Sequence, residues 1–138
     1  MTLRAFVDGA SRGNPGESGI GILVLDETGN KVFSMHAYIG KTTNNVAEYT
    51  ALLTLLRRVQ KYRCTRLVVS SDSELMVRQV NGKYKVKDEK LRRYFQQVQA
   101  ILEESPFEFE LKHVSREENH EADRLANLGI ETRKEMTI

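Results

Sequence analysis

The sequence predicts an α/β protein with a mixed five-stranded sheet and helices packed against it. Three apolar runs come first, separated by glycine-containing turns, and are typical of strands joined as hairpins. Further apolar runs then alternate with segments whose apolar residues recur at helical spacing. The resulting order of elements, β-β-β-α-β-α-α-β-α, favours a sheet whose later strands are connected through helices.

The composition is that of an ordinary globular domain. The 138 residues are 40% apolar and 29% charged, and the net charge of +2 neither requires nor excludes a nucleic-acid partner. The one cysteine, Cys64, cannot form an internal disulfide, and Asp8 interrupts the only apolar run near the N-terminus. We therefore expect one domain over 1–138 that is cytoplasmic, monomeric and free of membrane contacts.

The first strand is predicted over residues 3–8 and ends at Asp8. Glycines at 9, 13 and 16, together with Pro15, predict a loop after it. A carboxylate at the end of a rigid strand suits metal-assisted chemistry on an anion, although Asp-Gly is also a common turn.

The second and third strands are predicted to form a hairpin. The second covers 18–25, where Gly19 and Gly21 alternate with isoleucines and leave one face bare, so that a backbone or a ligand can approach closely. The turn at 26–30 leads to the third strand, 31–40.

A long amphipathic helix follows residues 42–45. Asn45 and Glu48 fit a capping box, with Asn45 as the N-cap. Because a carboxylate in the first turn of a helix can also face a site, the capping and functional interpretations of Glu48 are compatible.

The fourth strand, 66–71, ends at Asp72. Its continuous apolar run at 67–69 indicates a central strand, and Asp72 or Ser73 can cap the helix predicted over 74–80. If the first and fourth strands are parallel neighbours, Asp8 and Asp72 emerge at one carboxyl edge, where open α/β sheets bind ligands.

The segment 82–93 is locally basic. It holds six lysines and arginines, two tyrosines border or interrupt it, and only Asp88 and Glu89 oppose the positive charge. This pattern suits a phosphate backbone, and a solvated helix face also explains it. The helix that continues from it ends at Ser105-Pro106.

The C-terminal part predicts one more strand and one more helix. Residues 107–113 alternate between apolar and polar, and a helix is predicted over 121–128 with Asp123 in its first turn. The tail, 129–138, carries little signal, and both a packed and a flexible tail are compatible with it.

Four acidic residues thus stand at the beginning or end of predicted elements: Asp8, Glu48, Asp72 and Asp123. Carboxylates that converge in one place repel each other unless cations neutralise them, and oxygen-only ligands select Mg²⁺ or Mn²⁺. Two such ions about 3.5–4 Å apart promote phosphoryl displacement. The residues alone therefore favour a metal-dependent phosphodiesterase.

Four segments that span nearly the whole chain resemble ribonuclease H of type one. They read FVDGASRGNPG at 6–16, TNNVAEYTAL at 43–52, SDSEL at 71–75 with QVNG at 79–82, and NHEADRLA at 119–126. The resemblance implies a ribonuclease H-like fold with sheet order 3-2-1-4-5, strand 2 antiparallel and helices on both faces. It also implies endonucleolytic hydrolysis of the RNA strand of RNA–DNA hybrids, giving 5′-phosphate and 3′-hydroxyl ends.

The same resemblance implies roles for individual residues. Asp8, Glu48, Asp72 and Asp123 become catalytic, metal-binding carboxylates that hold two Mg²⁺ ions, with Mn²⁺ as the alternative. Asn14, Asn44 and Asn45 become contacts to the minor groove of the hybrid, because an amide can donate to and accept from a 2′-hydroxyl.

Two departures from the family pattern bear on function. The chain has no tryptophan and no long basic protrusion, so we expect weaker or differently distributed contacts to the DNA strand. Residues 112–122 lack the glycine-rich loop that carries a catalytic histidine in many members, so neither His113 nor His120 receives that role. The fold alone also admits integrases, transposases, junction resolvases or a hybrid-binding module without activity.

Overall fold

A computed structural model describes all residues, 1–138, and contains one sheet flanked by helices. The strands are β1 (Thr2–Gly13), β2 (Gly16–Leu25), β3 (Lys31–Thr42), β4 (Arg66–Ser71), β5 (Glu108–His113) and β6 (Met136–Thr137). The helices are α1 (Asn44–Val59), α2 (Glu74–Val80), α3 (Glu89–Glu104) and α4 (His120–Thr132), and a 3₁₀ turn (Glu117–Asn119) precedes α4.

The sheet confirms the predicted strand order and extends it by one strand. Its order is β5-β4-β1-β2-β3-β6, with β1, β4 and β5 parallel to one another and β2 antiparallel to both neighbours. The added strand, β6, pairs with β3, where Ser34 and Ile138 also exchange backbone hydrogen bonds of 2.9 and 2.7 Å. The weakly patterned tail therefore continues α4 and then closes the edge of the sheet.

Strand β1 is longer than the sequence predicts. It does not end at Asp8 but continues to Gly13, because the hairpin with β2 stays in register as far as Gly13 and Gly16. Only its pairing with β4 stops early, at Phe6 and Ser70. Gly9 therefore lies within a strand and not in a turn.

Helices cover both faces of the sheet, as predicted. Helix α1 buries Leu52, Leu55 and Leu56 on one face, where they join a single core with apolar residues of β1, β2 and β4. The opposite face carries α4, and the bare strand face of β2 explains how closely it packs. A Cβ atom on Gly21 would lie 2.2 Å from the Ala122 carbonyl oxygen, and one on Gly19 would lie 2.4 Å from that of Ala126.

None of the four helices combines the length and the apolar character that crossing a lipid bilayer requires.

Candidate active site

The candidate site lies at the edge of the sheet where the parallel pairing of β1 and β4 ends. Asp8 stands two residues beyond the last paired residue of β1, and Asp72 two residues beyond its partner in β4. The two carboxylates therefore emerge side by side, as the sequence predicts. Carboxylate oxygens of Asp8, Glu48 and Asp72 all lie within 4.8 Å of one another.

Glu48 reaches this edge by a different local structure from the one predicted. The N-cap of α1 is Thr43, whose hydroxyl accepts from the Val46 backbone N–H at 3.2 Å, and the predicted capping box at Asn45 is wrong. Asn45 is already within the helix, so Glu48 lies beyond its first turn and does not fold back on the cap. Instead its Oε1 accepts from the Gly9 backbone N–H at 2.8 Å.

Gly9 makes that contact sterically possible. A Cβ atom there would lie 2.2 Å from the Ala47 carbonyl carbon and 2.3 Å from the Glu48 backbone nitrogen. Any side chain at position 9 would therefore push α1 away from β1. The glycine lets the two elements touch and brings the carboxylate of Glu48 beside that of Asp8.

Asp123 lies in the first turn of α4, as predicted, and completes the acidic wall of one cleft. It lies outside the tight group that the other three carboxylates form. The cleft measures about 540 Å³, and all four predicted carboxylates line it. The Nη2 atom of Arg116 lies 3.6 Å from Oδ1 of Asp123.

The electrostatics of the cleft are unfavourable to bare carboxylates. Asp8 is 3% exposed, and burial followed by repulsion from Glu48 and Asp72 raises its pKa to about 10. Burial likewise raises the pKa of Glu48 to about 8, although the Gly9 N–H opposes the shift. Carboxylates in such a position are neutralised by protons or by cations.

The chemistry of the donor set identifies the cation class. The cluster offers only carboxylate oxygens, without the thiolates or imidazoles that zinc prefers. Oxygen ligands suit small, hard divalent cations, and a cation there would remove the repulsion that raises the two pKa values. The residues present therefore fit a Mg²⁺ or Mn²⁺ site.

One of the three predicted asparagines, Asn44, lines this cleft, and the other two are its neighbours. Asn14 is in the turn between β1 and β2, and its Oδ1 accepts from the Asn44 backbone N–H at 3.1 Å. Asn44 is exposed and lines the cleft, and Asn45 follows it at the start of α1. The structure thus brings Asn44 beside the carboxylates, whereas Asn14 and Asn45 do not line the cleft.

Besides His113, five further polar residues line the cleft without having been predicted as site residues: Ser11, Ser73, Ser115, Arg116 and Asn127. Arg116 could have been found from the sequence, because it is the only cation between the predicted strand and the residues that open the last helix. His113 also lines the cleft, at the end of β5, whereas His120 does not. Nδ1 of His120 lies 2.9 Å from the Glu117 carbonyl oxygen.

Comparisons with known proteins place these features in a family. A family model described as "Reverse transcriptase-like" matches residues 6–129. The chain is 34% identical over 130 residues to "Ribonuclease HI" of Halobacterium salinarum, and the match covers 94% of the chain and 64% of that protein. It is 40% identical over 129 residues to "Bifunctional protein Rv2228c" of Mycobacterium tuberculosis, covering 92% of the chain and 35% of that protein. The chain thus spans less than two thirds of either relative.

A solved structure matches over almost the full length of both chains. LC11-RNase H1, crystallised in complex with an RNA/DNA hybrid, superposes with a TM-score of 0.90 at 41% identity. The match covers 94% of the present chain and 97% of that one.

Proposed function

The chain belongs to the type 1 ribonuclease H family, and from this premise we propose that it is an endonuclease that hydrolyses the RNA strand of RNA–DNA hybrids. The observation that carries the proposal is the convergence of Asp8, Glu48 and Asp72 within 4.8 Å, with Asp123 in the same cleft. Residues from β1, α1, α4 and the end of β4 meet there. A protein that only binds phosphates gains nothing from clustered negative charge facing them.

The four carboxylates are proposed to hold two Mg²⁺ ions, with Mn²⁺ as the alternative. Two ions bound together activate a water molecule and stabilise the leaving oxygen of an in-line displacement. On the family's pattern Asp8 is the candidate ligand to both ions, and it lies in the tight group with Glu48 and Asp72 and lines the same cleft as Asp123. The products would carry 5′-phosphate and 3′-hydroxyl ends.

Selection of RNA over DNA is proposed to depend on the three asparagines. Side-chain amides both donate and accept hydrogen bonds, so Asn14, Asn44 and Asn45 can pair with a 2′-hydroxyl in the minor groove. The contact between Asn14 Oδ1 and the Asn44 backbone keeps the turn and the helix start together. A hydrogen bond to a 2′-hydroxyl has no counterpart on a DNA strand.

The DNA strand is proposed to lie along the basic segment between α2 and α3. A groove of about 400 Å³ there is lined by Tyr84, Lys85, Lys87 and Arg92, among others. Tyr84 is 47% exposed, and the Arg78 guanidinium lies 5.5 Å from its ring centroid. Cations interleaved with an exposed aromatic ring suit a sugar–phosphate backbone.

We further propose that the protein acts in the cytoplasm as a monomer, with 1–138 as one domain. Cys64 is buried and free, which agrees with a reducing compartment. One core of 26 buried residues joins residues between Leu3 and Leu111, and few large apolar residues are exposed. These observations support a unit that needs no partner subunit to bury its apolar surface.

The experiment that tests the proposal is incubation of the purified protein with an end-labelled RNA–DNA hybrid, duplex DNA and duplex RNA. Each substrate is tested with Mg²⁺, with Mn²⁺ and with a chelator. We expect metal-dependent cleavage of the RNA strand of the hybrid and no cleavage by Asp72→Asn. Replacing single ribonucleotides by 2′-deoxy nucleotides in the labelled strand distinguishes this enzyme from a nuclease that cuts DNA. Cleavage that persists in Asp72→Asn would contradict the metal assignment.

A further inference from the structure

Asn119 makes an unusual contact at the start of α4. It occupies the N-cap position of that helix, where an asparagine side chain ordinarily accepts a hydrogen bond from the first turn. Here its side chain makes no capping hydrogen bond. Instead its Nδ2 donates to the Val7 carbonyl oxygen at 2.9 Å, in a buried contact between residues 112 positions apart.

Asn119 makes this contact although the arrangement is unfavourable for the residue itself. It is 1% exposed, and its Oδ1 is buried without a hydrogen-bond partner. A buried acceptor without a partner destabilises a fold.

The contact connects two of the elements that carry acidic residues of the cleft, β1 and α4. Val7 immediately precedes Asp8, and it lies one residue beyond Phe6, where the pairing of β1 with β4 ends. Asn119 lies four residues, about one helical turn, before Asp123. A single buried hydrogen bond thus fastens the start of α4 to β1 next to the Asp8 carboxylate.

We propose that Asn119 is a positioning residue that holds Asp123 in reach of Asp8, so that the two carboxylates can share a divalent cation. This inference rests on the proposed function, since it assigns Asp123 to the metal site. Without the contact, the first turn of α4 can move away from β1. Asp123 would then move with that turn.

The test uses Asn119→Leu, which keeps the size of the side chain but removes both the donor and the partnerless acceptor. Asn81→Leu is the matched control, because Asn81 Nδ2 likewise donates to a strand carbonyl, that of Leu111, at 2.9 Å. Mn²⁺ binding to the full-length protein is measured by the electron paramagnetic resonance of the free ion. Values of kcat and KM on the hybrid are measured as a function of Mg²⁺ concentration. All measurements are made at a temperature where circular dichroism shows every variant folded.

We expect Asn119→Leu to weaken Mn²⁺ binding and lower kcat by about tenfold each, with KM for the hybrid within twofold of wild type. Asn81→Leu is expected to lower the melting temperature while leaving Mn²⁺ affinity unchanged. If Asn119→Leu does not fold, Asn119→Ser, whose short hydroxyl falls back from the Val7 carbonyl, is expected to show the same loss.

Two results would overturn the positioning role. One is Mn²⁺ affinity and kcat within twofold of wild type in the Asn119 variants, and the other is an equal loss of Mn²⁺ affinity in Asn81→Leu. The binding measurement needs no catalysis, so it still decides the role of Asn119 if wild-type protein leaves the hybrid intact. That last result would instead refute the proposed function.

Discussion

Replacing Asp8 by asparagine should make the metal-free protein more stable while abolishing its activity. Asp8 is buried beside Glu48 and Asp72, and its pKa is raised from 3.8 to about 10. The raised value means that the fold favours the neutral carboxyl, whereas the unfolded chain ionises from about pH 4 upward. The wild-type protein therefore loses stability as the pH rises above about 4, and the loss levels off only near pH 10.

The pKa difference gives the size of the effect. pH 7 lies about three units above the pKa of the carboxyl in the unfolded chain, and each unit corresponds to about 1.4 kcal/mol. The amide that replaces the carboxyl in Asp8→Asn is neutral in both states, so the variant should be more stable than wild type by up to about 4 kcal/mol at pH 7. At pH 4 the two proteins should unfold at nearly the same denaturant concentration.

The assay is urea unfolding followed by circular dichroism at several pH values between 4 and 8.5, with a chelator present. Glu103→Gln, at the exposed end of α3, is the control for removing a carboxylate away from the cleft. Added Mg²⁺ should stabilise wild type more than Asp8→Asn, because the variant lacks a ligand. A stability difference that does not change with pH, or a variant less stable than wild type at pH 7, would refute the reasoning.

Three further variants test other parts of the structure. Gly21→Ala should destabilise the protein by about 1–3 kcal/mol and lower the rate of hybrid cleavage. The added Cβ would lie 2.2 Å from the Ala122 carbonyl oxygen and would displace α4. Urea unfolding measures the first effect and a cleavage assay the second. Thr43→Ala should lower the free energy of unfolding by about 1 kcal/mol in the same assay, because it removes the N-cap of α1. A larger loss for Asn45→Ala would instead support a capping box at Asn45. The double variant Lys85→Ala, Lys87→Ala should raise KM for the hybrid and reduce the salt dependence of KM, with kcat within twofold of wild type. Steady-state kinetics at several salt concentrations measure both effects. A KM equal to that of wild type would contradict the proposed path of the DNA strand.

The sequence was most informative where one local rule decides the structure. The apolar run at 67–69 requires a buried strand, so β4 lies at 66–71 as predicted and Asp72 follows it. The glycines of β2 leave one strand face bare, and α4 packs there. Ser73 is the N-cap of α2, one of the two residues the sequence allowed.

The predictions failed where several local partners compete for the same backbone group. Thr43, Asn44 and Asn45 are all plausible N-caps, and in the structure the cap is Thr43. Glu48, predicted to close a capping box, bonds instead to the Gly9 N–H, 39 residues away along the chain. Such a choice depends on which distant segment arrives, and local sequence does not contain that information.

By itself, then, the sequence determined the order of the elements and the kind of chemistry that their acidic residues can perform. Periodicity and turn residues act over a few positions, so they can be read without the fold. Tertiary structure alone decided that β1 continues past Asp8, that β6 closes the sheet edge and that Asn119 bonds to β1 instead of capping its helix. Each of these depends on a hydrogen-bond partner from a remote part of the chain, and the free energy of that contact exists only once the sheet and both helix layers have assembled.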